Sequence, residues 1–472
     1  MRIGIQIIYL ILVALMMPSR VGAFDHLRVT GILVVVAASI LTEWLLYSDS
    51  KNVFRLDVLF VFGFIIVHFQ WPLMFLSDVK IRHLRIESFI DSVSYGTWLS
   101  ALGLIAWFIG WGSFKFEKKR KFRILSVEYE KLKWAFYMCF ALFLLFAGKD
   151  YLTGAVYRGD SDSAAASGLG AYFQLLLGFV VITAIAFYLP VAAAKIRKHG
   201  RWWQEIDILL LIVLGLYTLM FLAVGDRGGA IEVACALMLI YGMLVHPITK
   251  KQFCVLAIVG ALVLTIIGLG RSSGSKSGDK NMLSDGVEKL ETMDTNSAYI
   301  LTLELANSST CLYAAIDNVP TQHSFFYGKL WRGNLLAVVP LSQQIVGGFF
   351  EMKPDEMGSG GYITYLFYGD ESVVGAGSSI IADLYLNWGE VGVVVFMFGL
   401  GVLYKRIHQG VVNRESLMWV VAAGALATVA FYAGRGGYLI FLRPVIWSLV
   451  IAKMLTTIEM APVDNKKSKI KP

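Results

Sequence analysis

The stretch ILLLIVLGLYTLMFLAVGDRGGAIEVACALMLIYGML (208–244) decides the fold. Two apolar runs, each close to the ~20 residues a helix needs to cross a bilayer, flank the short island GDRGG (225–229). The island offers an acid, a base and three glycines between two spans. Working outward, the same pattern repeats along the chain. Of 472 residues, 57% are hydrophobic and 16% charged, and the mean hydropathy is +0.65. Soluble domains carry about 25% charged residues. The sequence therefore predicts an all-α, polytopic helical membrane protein with about 12 transmembrane helices.

The spans are read near 3–18, 28–47, 56–76, 93–113, 132–148, 169–193, 206–224, 228–245, 253–270, 385–404, 416–433 and 438–456. This divides the chain into a membrane part with nine spans (1–270), an extracytoplasmic loop region with amphipathic helices (271–384), three further spans (385–456) and a basic cytoplasmic tail (457–472). The first apolar run, with VGA at 21–23, is read as a retained helix rather than a cleaved signal peptide. Placing both termini in the cytoplasm puts KFEKKRKFR (115–123), KIRKHGR (195–201) and KKSKIKP (466–472) inside, as the positive-inside rule requires. One short outer stretch, KIRHLR (80–85), runs against the trend.

The net charge of +8 lies mostly in short loops and orients the chain, so a nucleic-acid partner is not expected. Cys139, Cys235, Cys254 and Cys311 form no CxxC pair and predict neither disulfide nor zinc site. A P-loop, HExxH and GxSxG are all missing, and the outer acids lack metal-ligand spacing. No cofactor or metal is expected.

In the outer region, SAYILTLELANSSTCLYAAI (297–316) has helical periodicity and reads as an amphipathic helix on the membrane surface or over a cavity. GSGGYITYLFYGDESVVGAGSS (358–379) reads as a mobile loop. His68 reads as a core histidine and Trp71 as an interfacial anchor.

Charge near the outer face supplies the candidate site. Arg227 stands at a helix start, with Gly228 and Gly229 beside it. Such a helix end favours anions, and glycines let a phosphate reach the backbone. The competing reading is a tight inter-helix turn, with Asp226 as cap and Arg227 snorkelling. Arg271, Arg435 and Arg443 fall at or near the same depth, so four arginines are expected to converge; Glu232 would be an internal counter-ion. Asp383 and Asn387 share a helix face at i, i+4. Asp383, Glu304, Asp317 and His323 are candidate general bases, each also readable as a solvated residue.

Three stretches resemble the O-antigen polymerase (Wzy-type) family: GDRGG (225–229), ELANSSTCLYAAIDNVPTQHSFFYGKLWRGNLLAVVP (304–340) and GAGSSIIADLYLNWGEVGVVVF (375–396). Asp383 stands where that pattern suggests Glu. The resemblance covers roughly 225–445. It implies a GT-C-like helical fold and an undecaprenyl-pyrophosphate-linked oligosaccharide as substrate within membrane lipid. Polymerisation at the outer face of the bacterial inner membrane follows, yielding O-antigen, capsule or exopolysaccharide. A chain-length regulator and a flippase are expected as partners through the family alone. In that reading Arg227, Arg271, Arg435 and Arg443 hold the pyrophosphate. Asp383, or Glu304 as second choice, takes the acceptor proton, and Tyr362, Tyr365, Phe367, Tyr368 and Trp331 are available to stack on sugars. Alternatives are a lipid-linked glycan ligase, a polysaccharide transporter or flippase, and a membrane scaffold.

Overall fold

The computed structural model describes residues 2–46, 52–79, 84–114, 122–128, 130–153, 169–199, 207–223, 227–271, 287–288, 298–340, 342, 345–346, 354–369 and 375–462. Each of the twelve predicted spans coincides with a helix: α1 (Arg2–Leu15), α2 (His26–Leu41), α3 (Leu56–Leu76), α4 (Val93–Ser113), α5 (Glu130–Thr153), α6 (Leu169–His199), α7 (Ile208–Ala223), α8 (Arg227–Leu244), α9 (Lys250–Arg271), α12 (Ile380–Val412), α13 (Leu417–Ala430) and α14 (Leu442–Leu455). Between α9 and α12 lie α10 (Ser309–Asn318) and α11 (Ser359–Tyr368). Among the described residues, seven helices are long and apolar enough to cross a membrane, and shorter apolar helices accompany them.

The spine of the bundle is the α4–α12 pair. Every residue of α4 from Val93 to Trp111 is buried. Its fit to α12 depends on small residues: a Cβ on Gly110 would strike the Phe398 carbonyl, and one on Gly401 the Trp107 carbonyl. In lipid, where tails are as apolar as side chains, such close backbone approach drives association. Helices α1–α3 pack around this spine. A second group, α5–α8 with α13 and α14, joins it through α13. Helix α9 stands apart. It touches the rest through Phe253, whose ring meets Phe54 and Phe62, and through Thr265, whose hydroxyl donates to the Leu301 carbonyl at 3.1 Å.

The loops separate into two ends. At one end, Gly22 N donates to Asp91 O (3.0 Å), Asp25 N to Ser94 Oγ (3.0 Å), and Arg20 pairs with Glu390 (3.1 Å). The 298–340 segment lies at this end as well. At the other end, Arg2 meets Glu43 and Arg55 meets Asp57. A ribbon that the sequence did not suggest follows α4 and α14 there: β1 (Phe122–Glu128) pairs antiparallel with β2 (Thr457–Pro462), in what was expected to be a plain basic tail.

Three local expectations are corrected. The 297–316 stretch is not one surface helix. It breaks at Asn307–Ser308, and α10 beyond the break is buried from Ser309 to Ile316. The 358–379 loop contains α11, because Tyr362, Ile363, Leu366 and Phe367 form an apolar stripe at helical spacing, with Tyr362 and Ile363 buried. Trp71 is no interfacial anchor but 1% exposed, inside the core. His68 is buried as expected, its Nδ1 3.3 Å from Ser100 Oγ. The four cysteines are free; Cys139, Cys235 and Cys311 are buried and Cys254 is exposed.

Candidate active site

The site is built where α12 breaks. Gly389 adopts φ 64° and ψ −160° inside the helix, a backbone that L side chains avoid. The break releases the carbonyls of Leu386 and Asn387 from helical pairing. Phe326 N donates to the first at 2.9 Å and Tyr327 N to the second at 2.8 Å. The Asn387 side chain also accepts, at Oδ1, from Gly328 N (3.1 Å) and Leu330 N (3.3 Å). Tyr327 and Gly328 of one resembling stretch (304–340) are thus docked on Asn387, just before Gly389, of another (375–396). Gly328, at φ 84°, makes the turn.

Ten residues before the break, Ser379 caps α12, accepting from Ala382 N at 3.2 Å. Asp383 follows and is 0% exposed. Its Oδ2 accepts from Trp331 Nε1 and from Tyr438 N, both at 2.9 Å. Asn387 Nδ2 donates to the Asp383 carbonyl at 2.8 Å. Asp383 therefore ties the 327–331 loop to the YAGRGGY turn after α13. That turn also leans on α3: Gly434 lies against Val67 and Phe64, and Gly63 sits under the Phe431 carbonyl.

The turn presents Arg435 at the mouth of a cavity of about 1220 Å³ between α3, α8, α9 and the end of α13. At one end the wall carries Arg435, Glu304, Glu232, Gly228, Thr302 and Asn307. The remainder is apolar, including Ile66, Phe62, Met238, Val259, Leu256 and Phe253. Arg435 Nη1 lies 3.8 Å from Glu304 Oε1. Glu304 is carried there by Gln70, a buried amide in α3. Gln70 Nε2 donates to Tyr299 O (2.8 Å), and its Oε1 accepts from Thr302 (2.6 Å).

The structure brings together Arg435, Glu304, Glu232 and Gly228 of the predicted set. Arg227 is the first residue of α8 and Arg271 the last of α9; the side chains of both, and all of Asp226, lie outside the described residues. Arg443 does not line the cavity. It sits half-buried on α14, toward Tyr172 at the start of α6. The expected four-arginine cluster is thus not formed by Arg443, because α14 packs against α6 and α13 instead of α9. Asp383 is occupied by the Trp331 indole and the Tyr438 amide, and Asn387 Oδ1 by the main-chain amides of Gly328 and Leu330. Gly229 packs against Phe221. His323 is exposed and stacked on Phe326 (4.3 Å, 11°). Of the predicted stacking aromatics, Tyr362 is buried and Trp331 is committed to Asp383, while Tyr365 and Tyr368 are exposed. Sequence reasoning missed Gln70, for which the only signal was a lone amide in a span beside His68.

Fold and cavity together define a polytopic integral membrane protein with an apolar chamber charged at one end. The family model for O-antigen polysaccharide polymerase Wzy matches residues 5–467, nearly the whole chain, and the chain belongs to that family. No curated protein and no solved structure matches it. Membership makes the protein a polysaccharide polymerase of the membrane.

Proposed function

We propose that the protein joins oligosaccharide repeats carried on a polyprenyl diphosphate, at the face of the bacterial inner membrane turned away from the cytoplasm. The observation that carries this reading is the two-part cavity. Its apolar limb suits a polyprenyl chain, and its charged end suits a diphosphate. Arg435 supplies a fork matched to phosphate oxygens. Gly228, at the start of α8, leaves room for the diphosphate at a helix N-terminus, with Arg227 beside it. The same orientation, with both termini cytoplasmic, follows from the basic loops.

In this reading the acceptor sugar hydroxyl attacks the anomeric carbon of the donor. The bond from that carbon to the diphosphate oxygen breaks, and its electron pair stays on the diphosphate. Arg435 and Arg227 stabilise the developing charge. The hydroxyl proton passes to Glu304, the cavity carboxylate that lies beside Arg435. Asp383 serves as a positioning residue, holding the turn that bears Arg435. Glu232 balances charge at the chamber wall. Turnover of a purified lipid-linked repeat tests this: wild-type protein makes a ladder of chain lengths, whereas a ligase leaves chain length unchanged and a flippase moves the substrate without joining it.

A further inference from the structure

A second enclosed polar site lies at the opposite end of the bundle, on the helix that organises the first. Asp383 and Lys405 are both on α12, roughly 30 Å apart along its axis at 1.5 Å per residue. Around Lys405, five elements converge: Arg2 of α1, Glu43 beyond α2, Arg55 and Asp57 at the start of α3, Phe108 and Trp111 of α4, and Lys405 and His408 of α12. They enclose a cavity of about 70 Å³. A single water needs only about 10–15 Å³ of such space, so the cavity takes a larger polar group.

The charges show which kind. Both carboxylates are buried, each 4% exposed, and both are already engaged. Glu43 Oε1 accepts from Arg2 Nε (3.1 Å) and Gln6 Nε2 (3.0 Å). Asp57 Oδ1 accepts from Arg55 Nε (2.9 Å), and its Oδ2 meets Arg55 Nη2. Three cations, Arg2, Arg55 and Lys405, face two anions, so one positive charge is in excess. Lys405 is the one left over. Its Nζ rests 4.7 Å above the Trp111 ring, and among the described residues it makes no hydrogen bond or ion pair. Beside it, His408 packs on Trp111 (5.4 Å) with a buried Nδ1 that has no partner. Among the described residues, the Lys405 ammonium and the His408 ring nitrogen therefore line one cavity without a hydrogen-bond partner, the two carboxylates there being engaged by Arg2, Gln6 and Arg55. Buried polar groups left in that state are costly, and a buried charge more so.

We infer that this cavity is a binding site for a phosphate-type anion, held by Lys405 and His408 against the Trp111 ring. A phosphodiester from an anionic phospholipid headgroup and free inorganic phosphate share the required chemistry: negative charge and acceptor oxygens for two donors. Occupancy ties α12 to α1, α3 and α4, at the end of α12 remote from the polymerase cavity. The inference is independent of the function proposed above.

The test uses the full chain purified in detergent, with unfolding followed by tryptophan fluorescence. Inorganic phosphate is titrated against gluconate at matched ionic strength, and phosphatidylglycerol against phosphatidylcholine in mixed micelles. Ligand binding to the native state raises Tm by mass action. A saturating rise of about 2–4 °C is expected, from phosphate if the free ion is the ligand and from phosphatidylglycerol if the headgroup is. Lys405→Gln abolishes the rise and Lys405→Arg keeps it. Should Lys405→Gln fail to fold, His408→Phe removes the ring nitrogen while keeping the aromatic wall, and it weakens the response. No rise with either anion, or a rise undiminished in these variants, overturns the inference.

Discussion

One carboxylate oxygen of Asp383 holds both the Trp331 indole and the Tyr438 amide, each at 2.9 Å, in a pocket with no solvent exposure. This joins the 327–331 loop, the kinked helix α12 and the arginine-bearing turn at a single atom. Asp383→Ala leaves two buried donors without an acceptor, at about 1–3 kcal/mol each. We expect a clear fall in Tm together with loss of polymer. Asp383→Asn, which keeps an acceptor oxygen, recovers most of the stability and part of the activity. Full stability with no turnover in Asp383→Asn returns the proton-accepting role to Asp383.

Arg435 is expected to act on the diphosphate alone. Arg435→Ala should insert and fold like wild type, yet make only single-repeat product, with turnover down about 10²–10³-fold. Arg435→Lys keeps the charge but loses the fork and remains well below wild type. Gel ladders from an in vitro reaction report both outcomes.

Glu304→Gln separates the acceptor proton from donor binding. Donor affinity should stay within a few-fold of wild type while turnover falls about 10²–10⁴-fold. A variant with unchanged turnover removes Glu304 from the chemistry.

Gly260 of α9 lines the apolar limb, and a Cβ placed there meets nothing within 4 Å. Gly260→Phe is therefore tolerated by the fold while its ring enters the chamber. Activity should fall more for a long polyprenyl donor than for a short-chain analogue, with Tm unchanged or raised, since glycine is a poor helix former.

Gly389→Ala forces a Cβ into left-handed backbone and to 3.2 Å from Phe325. A loss of about 1–2 kcal/mol is expected from the backbone alone, read as a lower Tm and a weaker hold on the Tyr327–Gly328 turn.

How much of this was legible beforehand depends on the physics at each position. The spans were readable because an apolar run of bilayer length has few folded alternatives. Arg435, Glu304 and Glu232 were readable as charges in apolar surroundings, and they do share one cavity. Arg443 looked the same in sequence but faces Tyr172, because helix neighbours are chosen by packing, not by depth. Asp383 was picked out as an acid at a helix start; its burial under Trp331 depends on a loop more than fifty residues upstream in sequence. Gln70 and the β1–β2 ribbon gave no sequence signal stronger than a lone amide and a short β-prone run.

The most direct test is a cryo-EM structure of the protein with a lipid-linked repeat bound. The account predicts diphosphate density within 4 Å of the Arg435 guanidinium, with the polyprenyl chain running between α3, α8 and α9. Diphosphate density beside Arg443 near the start of α6, with the chamber between α3 and α9 empty, would contradict it.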